Sequence, residues 1–164
     1  MPLLDTAGKD THGTDFIDLY PQRKDVKKCD IDNDTFPYAS ETFDEVYSKL
    51  VFEHLTNHAH FMREANRVLK PKGTLVIITD NAGLHGLLGK VHQGNYEKVH
   101  GKEAKWDRHY ALFTPTHLRN FLEKFGFKTK SIEYLDLSKD LRVHLLAAIN
   151  RKLNPNIIAI GIKQ

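Results

Sequence analysis

Residues Asn57 to Asp80 read NHAHFMREANRVLKPKGTLVIITD, and the change of period inside this stretch decides the fold. Its first half sets Phe61, Met62, Ala65, Val68 and Leu69 on one helical face, after which Pro71 and Gly73 break the helix. Thr74–Thr79, TLVIIT, is a continuous apolar run between Lys72-Gly73 and Asp80-Asn81, the pattern of a strand buried on both faces. Upstream, FDEVYSKL supplies a second strand over Phe43–Ser48. Strand, helix, strand is a crossover that is nearly always right-handed and parallel, so the expected class is α/β with a mostly parallel central sheet.

Working outward, DFIDLY (Asp15–Tyr20) and DVKKCDI (Asp25–Ile31) read as short strands separated only by PQRK, too little chain for a crossover helix. Downstream, Thr114-Pro115 supplies an N-cap and a first-turn proline. Leu118, Phe121, Leu122 and Phe125 follow at helical spacing until Gly126. KSIEYLDL and NIIAIGIK then read as strands around a helix carrying Leu141, Leu145, Ala148 and Ile149 on one face and ended by Pro155. The last strand is expected at a sheet edge beside the preceding one.

The 164 residues, 40% of them hydrophobic, suit a single domain, 1–164, with a lid-like insertion at about 81–113. No apolar run approaches the roughly 20 residues that span a bilayer, and the first residues lack a secretory pattern, so a cytoplasmic protein with no membrane association is expected. The single cysteine, Cys29, reads as a buried thiol in a reducing compartment. A net charge of +3 from 24 basic and 21 acidic residues is spread along the chain, so nucleic acid is not an expected partner.

The stretch Phe36 to Gly73, FPYASETFDEVYSKLVFEHLTNHAHFMREANRVLKPKG, resembles the middle of the class I S-adenosylmethionine-dependent methyltransferases. The landmarks are an apolar-Pro-aromatic step, Phe-Asp opening a strand, Glu-His-Leu after it, and Arg-Val-Leu-Lys-Pro before a glycine. The resemblance continues through Thr74–Thr79 into Phe113–Leu118 and Gly126-Phe127, about two thirds of the chain. It implies a Rossmann-like methyltransferase fold with flanking helices and an antiparallel C-terminal strand. It also implies S-adenosylmethionine as cofactor and methyl transfer to a small-molecule acceptor.

Ligands of such sheets bind outside the carboxyl ends of the strands, which singles out Asp5, Asp18, Asp30, Ser48 and Asp80. The resemblance assigns Asp18, with Leu19 beside it, to the ribose, and Asp30 with Ile31 to the adenine, as carboxylate acceptors require. At the first loop, LLDTAGKDTHG has Ala7 and Lys9 where the family places glycines, leaving Gly8 and Gly13. That departure carries an alternative reading, a non-catalytic binding or scaffold protein that has lost the cofactor loop; a homodimer is a further expectation.

On the acceptor side, Glu53-His54 follows the Ser48 strand end, and His54 is the expected general base because imidazole titrates near neutrality. Asp80 and Asn81 follow the next strand, and His85, His109 and Tyr110 lie in the long connection after it, where substrate residues are expected. His54, His58 and His60, or His85, His92, His100 and His109, are a rival zinc reading. No HExxH or Cys/His framework is present, so no metal is expected.

Overall fold

The computed structural model describes residues 11–15, 24–87, 109–137 and 141–164. In chain order these form β1 (Gly13–Asp15), β2 (Val26–Lys28), β3 (Phe43–Lys49), a 3-10 turn (Phe52–His54), α1 (His58–Val68), β4 (Leu69–Asp80) and α2 (Ala82–Leu87). They continue with α3 (Pro115–Lys124), β5 (Phe127–Leu135), α4 (Leu141–Ile149), a second 3-10 turn (Arg151–Leu153) and β6 (Asn156–Lys163). The α/β class is present, with the parallel β3–α1–β4 crossover expected from the sequence and the antiparallel final strand that the resemblance implies.

The larger sheet has the order β3-β4-β6-β5, and β1 pairs with β2 in a separate parallel ribbon. The last strand therefore does not lie at the edge: β6 sits between β4 and β5, antiparallel to both. The apolar run NIIAIGI is the reason, since it can be covered on both faces and paired on both sides. Gly161 allows the close approach of α3, because a Cβ there would stand 2.6 Å from Leu122 Cδ2. β5, whose side chains are mostly half-exposed, takes the edge instead.

Helix α1 starts where Asn57 accepts a hydrogen bond from the His60 N–H, and it buries Phe61, Met62, Ala65 and Val68. It ends at Val68, earlier than expected, and Leu69 to Gly73 already belong to β4, with an irregular register between Leu69 and Thr74. Helix α3 follows the expected pattern. Thr114 caps the His117 N–H, Pro115 opens the first turn, and Gly126 with φ of 81° ends it. Leu118 and Leu122 are fully buried there, each worth roughly 1.5–3 kcal/mol in apolar burial.

Helix α4 departs from expectation. Leu141, Leu145 and Ile149 are 70%, 59% and 82% exposed, while Val143, Leu146 and Ala147 form the half-buried side. The sequence LRVHLLAAI is apolar nearly all round, so its period selects no single face. Of the DFIDLY strand only Asp15 lies within the described residues, and β1 begins two residues earlier, at Gly13.

An ion pair fastens the loop before β3. Arg67 binds Glu64 through two nitrogens and donates to the carbonyls of Phe36 and Tyr38, while the Phe36 N–H donates to Glu64 Oε2 at 2.7 Å. Tyr38, held in that loop, donates its hydroxyl to the Gly13 carbonyl at 2.8 Å and stacks edge-on against Phe43. The landmark motifs of the sequence thus meet in space, and they link the small ribbon to the main sheet.

Candidate active site

The site grows from the turn after β3. Phe52 is fully buried and its ring touches those of His58, Phe61, Phe113 and Phe121. Anchoring Phe52 this way carries the next residue, Glu53, inside as well, where it is 1% exposed. The Thr79 hydroxyl, at the end of β4, donates to Glu53 Oε2 at 2.7 Å. The Tyr110 and Ala111 N–H groups both donate to the Glu53 carbonyl, which fixes the incoming strand of chain against the turn. Burial pushes the Glu53 carboxyl up to about 7, against the hydrogen bonds that favour its charged form; the nearby Asp80 carboxylate raises it further and His109 lowers it.

Beside Glu53 lies a second set of groups. His109 Nδ1 stands 3.2 Å from Asp80 Oδ2, and Asp80 Oδ1 accepts from Asn156 Nδ2 at 3.0 Å. Asn156 is the register partner of Asp80 across the β4–β6 pair, so the sheet itself places this donor. The His54 and His109 rings meet edge to face with centroids 4.5 Å apart. Glu53, His54 and His109 each offer a ligand atom within 4.8 Å of the others. These side chains stand over the carboxyl ends of β3 and β4, where a parallel pair leaves room for ligands.

Not every expected residue joins them. Asn81 is buried and structural: its amide donates to the Lys152 and Asn154 carbonyls, and its Oδ1 accepts from the Gly83 N–H. Tyr110 contributes its backbone and leaves its ring 55% exposed. His85 lies in α2, and its side chain is outside the described residues. His58 and His60 do not gather around His54; their Nε2 atoms bind the Phe52 and Asp34 carbonyls.

On the cofactor side, Asp30 forms a turn after β2, its two oxygens accepting from the Asp32 N–H and Asn33 Nδ2. Ile31 is half-buried against the core. Ser48, at the end of β3, is 3% exposed, and its hydroxyl has no hydrogen-bond partner among the described residues. Asp5, Ala7, Gly8, Asp18 and Leu19 lie outside the described residues, as do His92 and His100. The sequence names Glu53 only as the neighbour of His54; its signal is an acid flanked by the apolar residues Leu50, Val51, Phe52 and Leu55.

Residues 4–77 match the methyltransferase-domain family. The matched span is 74 of the 164 residues, a little under half of the chain. The chain is also 32% identical over 112 residues to a glycine/sarcosine/dimethylglycine N-methyltransferase of Actinopolyspora halophila. That alignment covers 66% of this chain and 17% of the relative, so the chain spans about a sixth of that protein's length.

Among solved structures, the fold resembles a chain of a Haloferax volcanii complex between the Trm112 methyltransferase activator and a candidate methyltransferase. The TM-score is 0.68 at 16% identity, covering 98% of this chain and 75% of that one. A SAM-dependent methyltransferase of Archaeoglobus fulgidus matches with TM-score 0.66 at 17% identity, over 99% and 80% of the two chains. At these identities the likeness establishes the Rossmann-like methyltransferase fold. No described helix is long and apolar enough to cross a membrane.

Proposed function

We propose that this chain is an S-adenosylmethionine-dependent methyltransferase that acts on a small-molecule acceptor over the carboxyl ends of β3 and β4. The observation that carries the reading is the convergence of His54, His109 and the Asp80 carboxylate at that place in a class I methyltransferase fold. When bound, S-adenosylmethionine supplies an electrophilic methyl group on a sulfonium. The buried Ser48 hydroxyl, without a partner among the described residues, fits a polar ligand at the strand ends, since a buried hydroxyl without a partner is costly unless something completes it.

Asp5, Ala7, Gly8, Asp18, Leu19, Asp30, Ile31 and Ser48 form the cofactor side of this reading. In-line transfer depends mainly on alignment and on excluding water. Asp80 orients the His109 ring, and Asn156 in turn holds Asp80, so the acceptor meets a preset wall rather than a mobile one. His54 is the residue placed to take the acceptor's proton, where the acceptor carries one.

The relative from Actinopolyspora halophila methylates glycine-derived amines by name, which makes small amines the first acceptors to try. The test is release of S-adenosylhomocysteine from S-adenosylmethionine across a panel of amine and hydroxyl acceptors, with His54→Ala in parallel. Acceptor-dependent turnover that falls at least tenfold in the variant supports the reading. Cofactor binding with no turnover on any acceptor favours the non-catalytic alternative.

A further inference from the structure

We propose that Glu53, His54 and His109 form a binding site for a divalent transition ion, represented by zinc, at the carboxyl ends of β3 and β4. One carboxylate oxygen and one imidazole nitrogen from each histidine lie within 4.8 Å of one another. Donors about 2.0–2.2 Å from a shared ion stand roughly 3–4 Å apart, so closure onto zinc asks only for small side-chain rotations. Two imidazoles with one carboxylate select a borderline ion over magnesium or calcium, which prefer all-oxygen shells.

The outer groups are those a zinc site uses. Asp80 lies on His109 Nδ1, and an imidazole whose Nδ1–H donates to a carboxylate carries its lone pair on Nε2, in the tautomer that binds metals. Asn156 holds that carboxylate in place, and Thr79 fixes one oxygen of Glu53. The ligands come from the turn after β3 and from the chain entering Phe113, segments tied together by the two N–H bonds to the Glu53 carbonyl.

Three protein ligands leave a coordination position open, which is the arrangement of a working ion rather than a structural one. An oxygen donor of a methyl acceptor fits that position, where the bound ion, in place of His54 as base, would ease loss of the acceptor's proton; this role rests on the methyl-transfer reading above. The binding of the ion itself does not depend on it.

Zinc is titrated into the chelator-stripped full-length protein by calorimetry, and cobalt(II) is followed by its visible absorption bands. One equivalent is expected, resistant to millimolar magnesium, with affinity reduced at least tenfold in His54→Ala and in His109→Ala. Glu53→Gln, which keeps the side-chain volume and an acceptor for Thr79, is expected to weaken binding with the far-ultraviolet circular dichroism unchanged. Asp80→Asn is expected to lose about 10–100-fold. His144→Ala, an exposed imidazole paired with Asp136, binds as the parent does.

No zinc uptake by the parent, magnesium competing on equal terms, or unchanged binding in the His54→Ala/His109→Ala double variant overturns the site. S-adenosylmethionine binding measured on the stripped protein reads the methyl-transfer proposal separately, so either can fail without the other.

Discussion

Thr79 donates its hydroxyl hydrogen to the Glu53 carboxylate over 2.7 Å, joining the end of β4 to the turn that follows β3. Both residues are fully or almost fully buried, so the bond is one of the few polar contacts inside the described core. It is also the contact that sets the wall of the site, because Glu53 is the neighbour of His54.

Thr79→Val tests that contact. The substitution keeps the shape of the side chain and leaves a buried carboxyl group without its donor, which costs about 1–3 kcal/mol. Urea unfolding is expected to show a lower midpoint with an unchanged slope.

The Glu64–Arg67 pair predicts an acid limb. Its hydrogen bonds to Arg67, together with the Phe36 N–H, hold the Glu64 carboxyl below the usual carboxylate range even though burial works the other way. A group depressed in the folded state adds stability above its unfolded pKa, and that contribution is lost as pH falls through the lower folded value. Stability is therefore expected to decline below about pH 4, and Glu64→Gln is expected to flatten that decline. Arg67→Ala, which also strips donors from the Phe36 and Tyr38 carbonyls, is expected to cost about 2–4 kcal/mol in denaturant unfolding.

Asp32 serves the start of α1 from another part of the chain. Its carboxylate accepts from the Thr56 N–H and hydroxyl and from the Asn57 N–H. Burial raises its pKa, but these donors outweigh it and the net shift is downward. Asp32→Ala removes a cap-like set of bonds and is expected to lower stability by about 1–2 kcal/mol, seen as a lower thermal midpoint.

Cys29 should be inert in the folded protein. Burial, with the charges of Asp34, Asp30 and Glu64 adding to it, pushes the thiol up to about 11, and the side chain is 3% exposed. A disulfide reagent at pH 8 is expected to react slowly with the native chain and rapidly in denaturant; fast native labelling would contradict this placement.

Much of the fold was legible because the period changes cleanly. α1 and α3 carry apolar stripes at helical spacing, and Thr114, Pro115 and Gly126 mark the ends of α3 without reference to any other residue. Reading failed where a segment is apolar on all sides. The apolar run of β6 suits an edge place beside β5 as well as the central place it takes, and α4 gave no hint that Leu141, Leu145 and Ile149 face out.

At the site, the strand-end rule singled out Asp80 and the place of His54 just beyond Ser48, while His109 was singled out only as a residue of the long connection after β4. It could not show that Asp80 meets His109, or that His109 meets His54, because those contacts cross long loops. Asn81 looked like a ligand residue by the same rule, yet its amide is spent on the Lys152 and Asn154 carbonyls. Glu53 was named beside His54 but given no role of its own, because its burial and its bond to Thr79 depend on contacts far apart in sequence.

The most direct test of the central claim is isothermal titration of the folded protein with S-adenosylmethionine and S-adenosylhomocysteine, repeated on Asp18→Ala. Dissociation constants on the order of micromolar for both ligands, lost in the variant, are expected of a ribose-binding carboxylate. No heat with either ligand on folded protein would contradict the methyltransferase reading and leave a cofactor-free binding module.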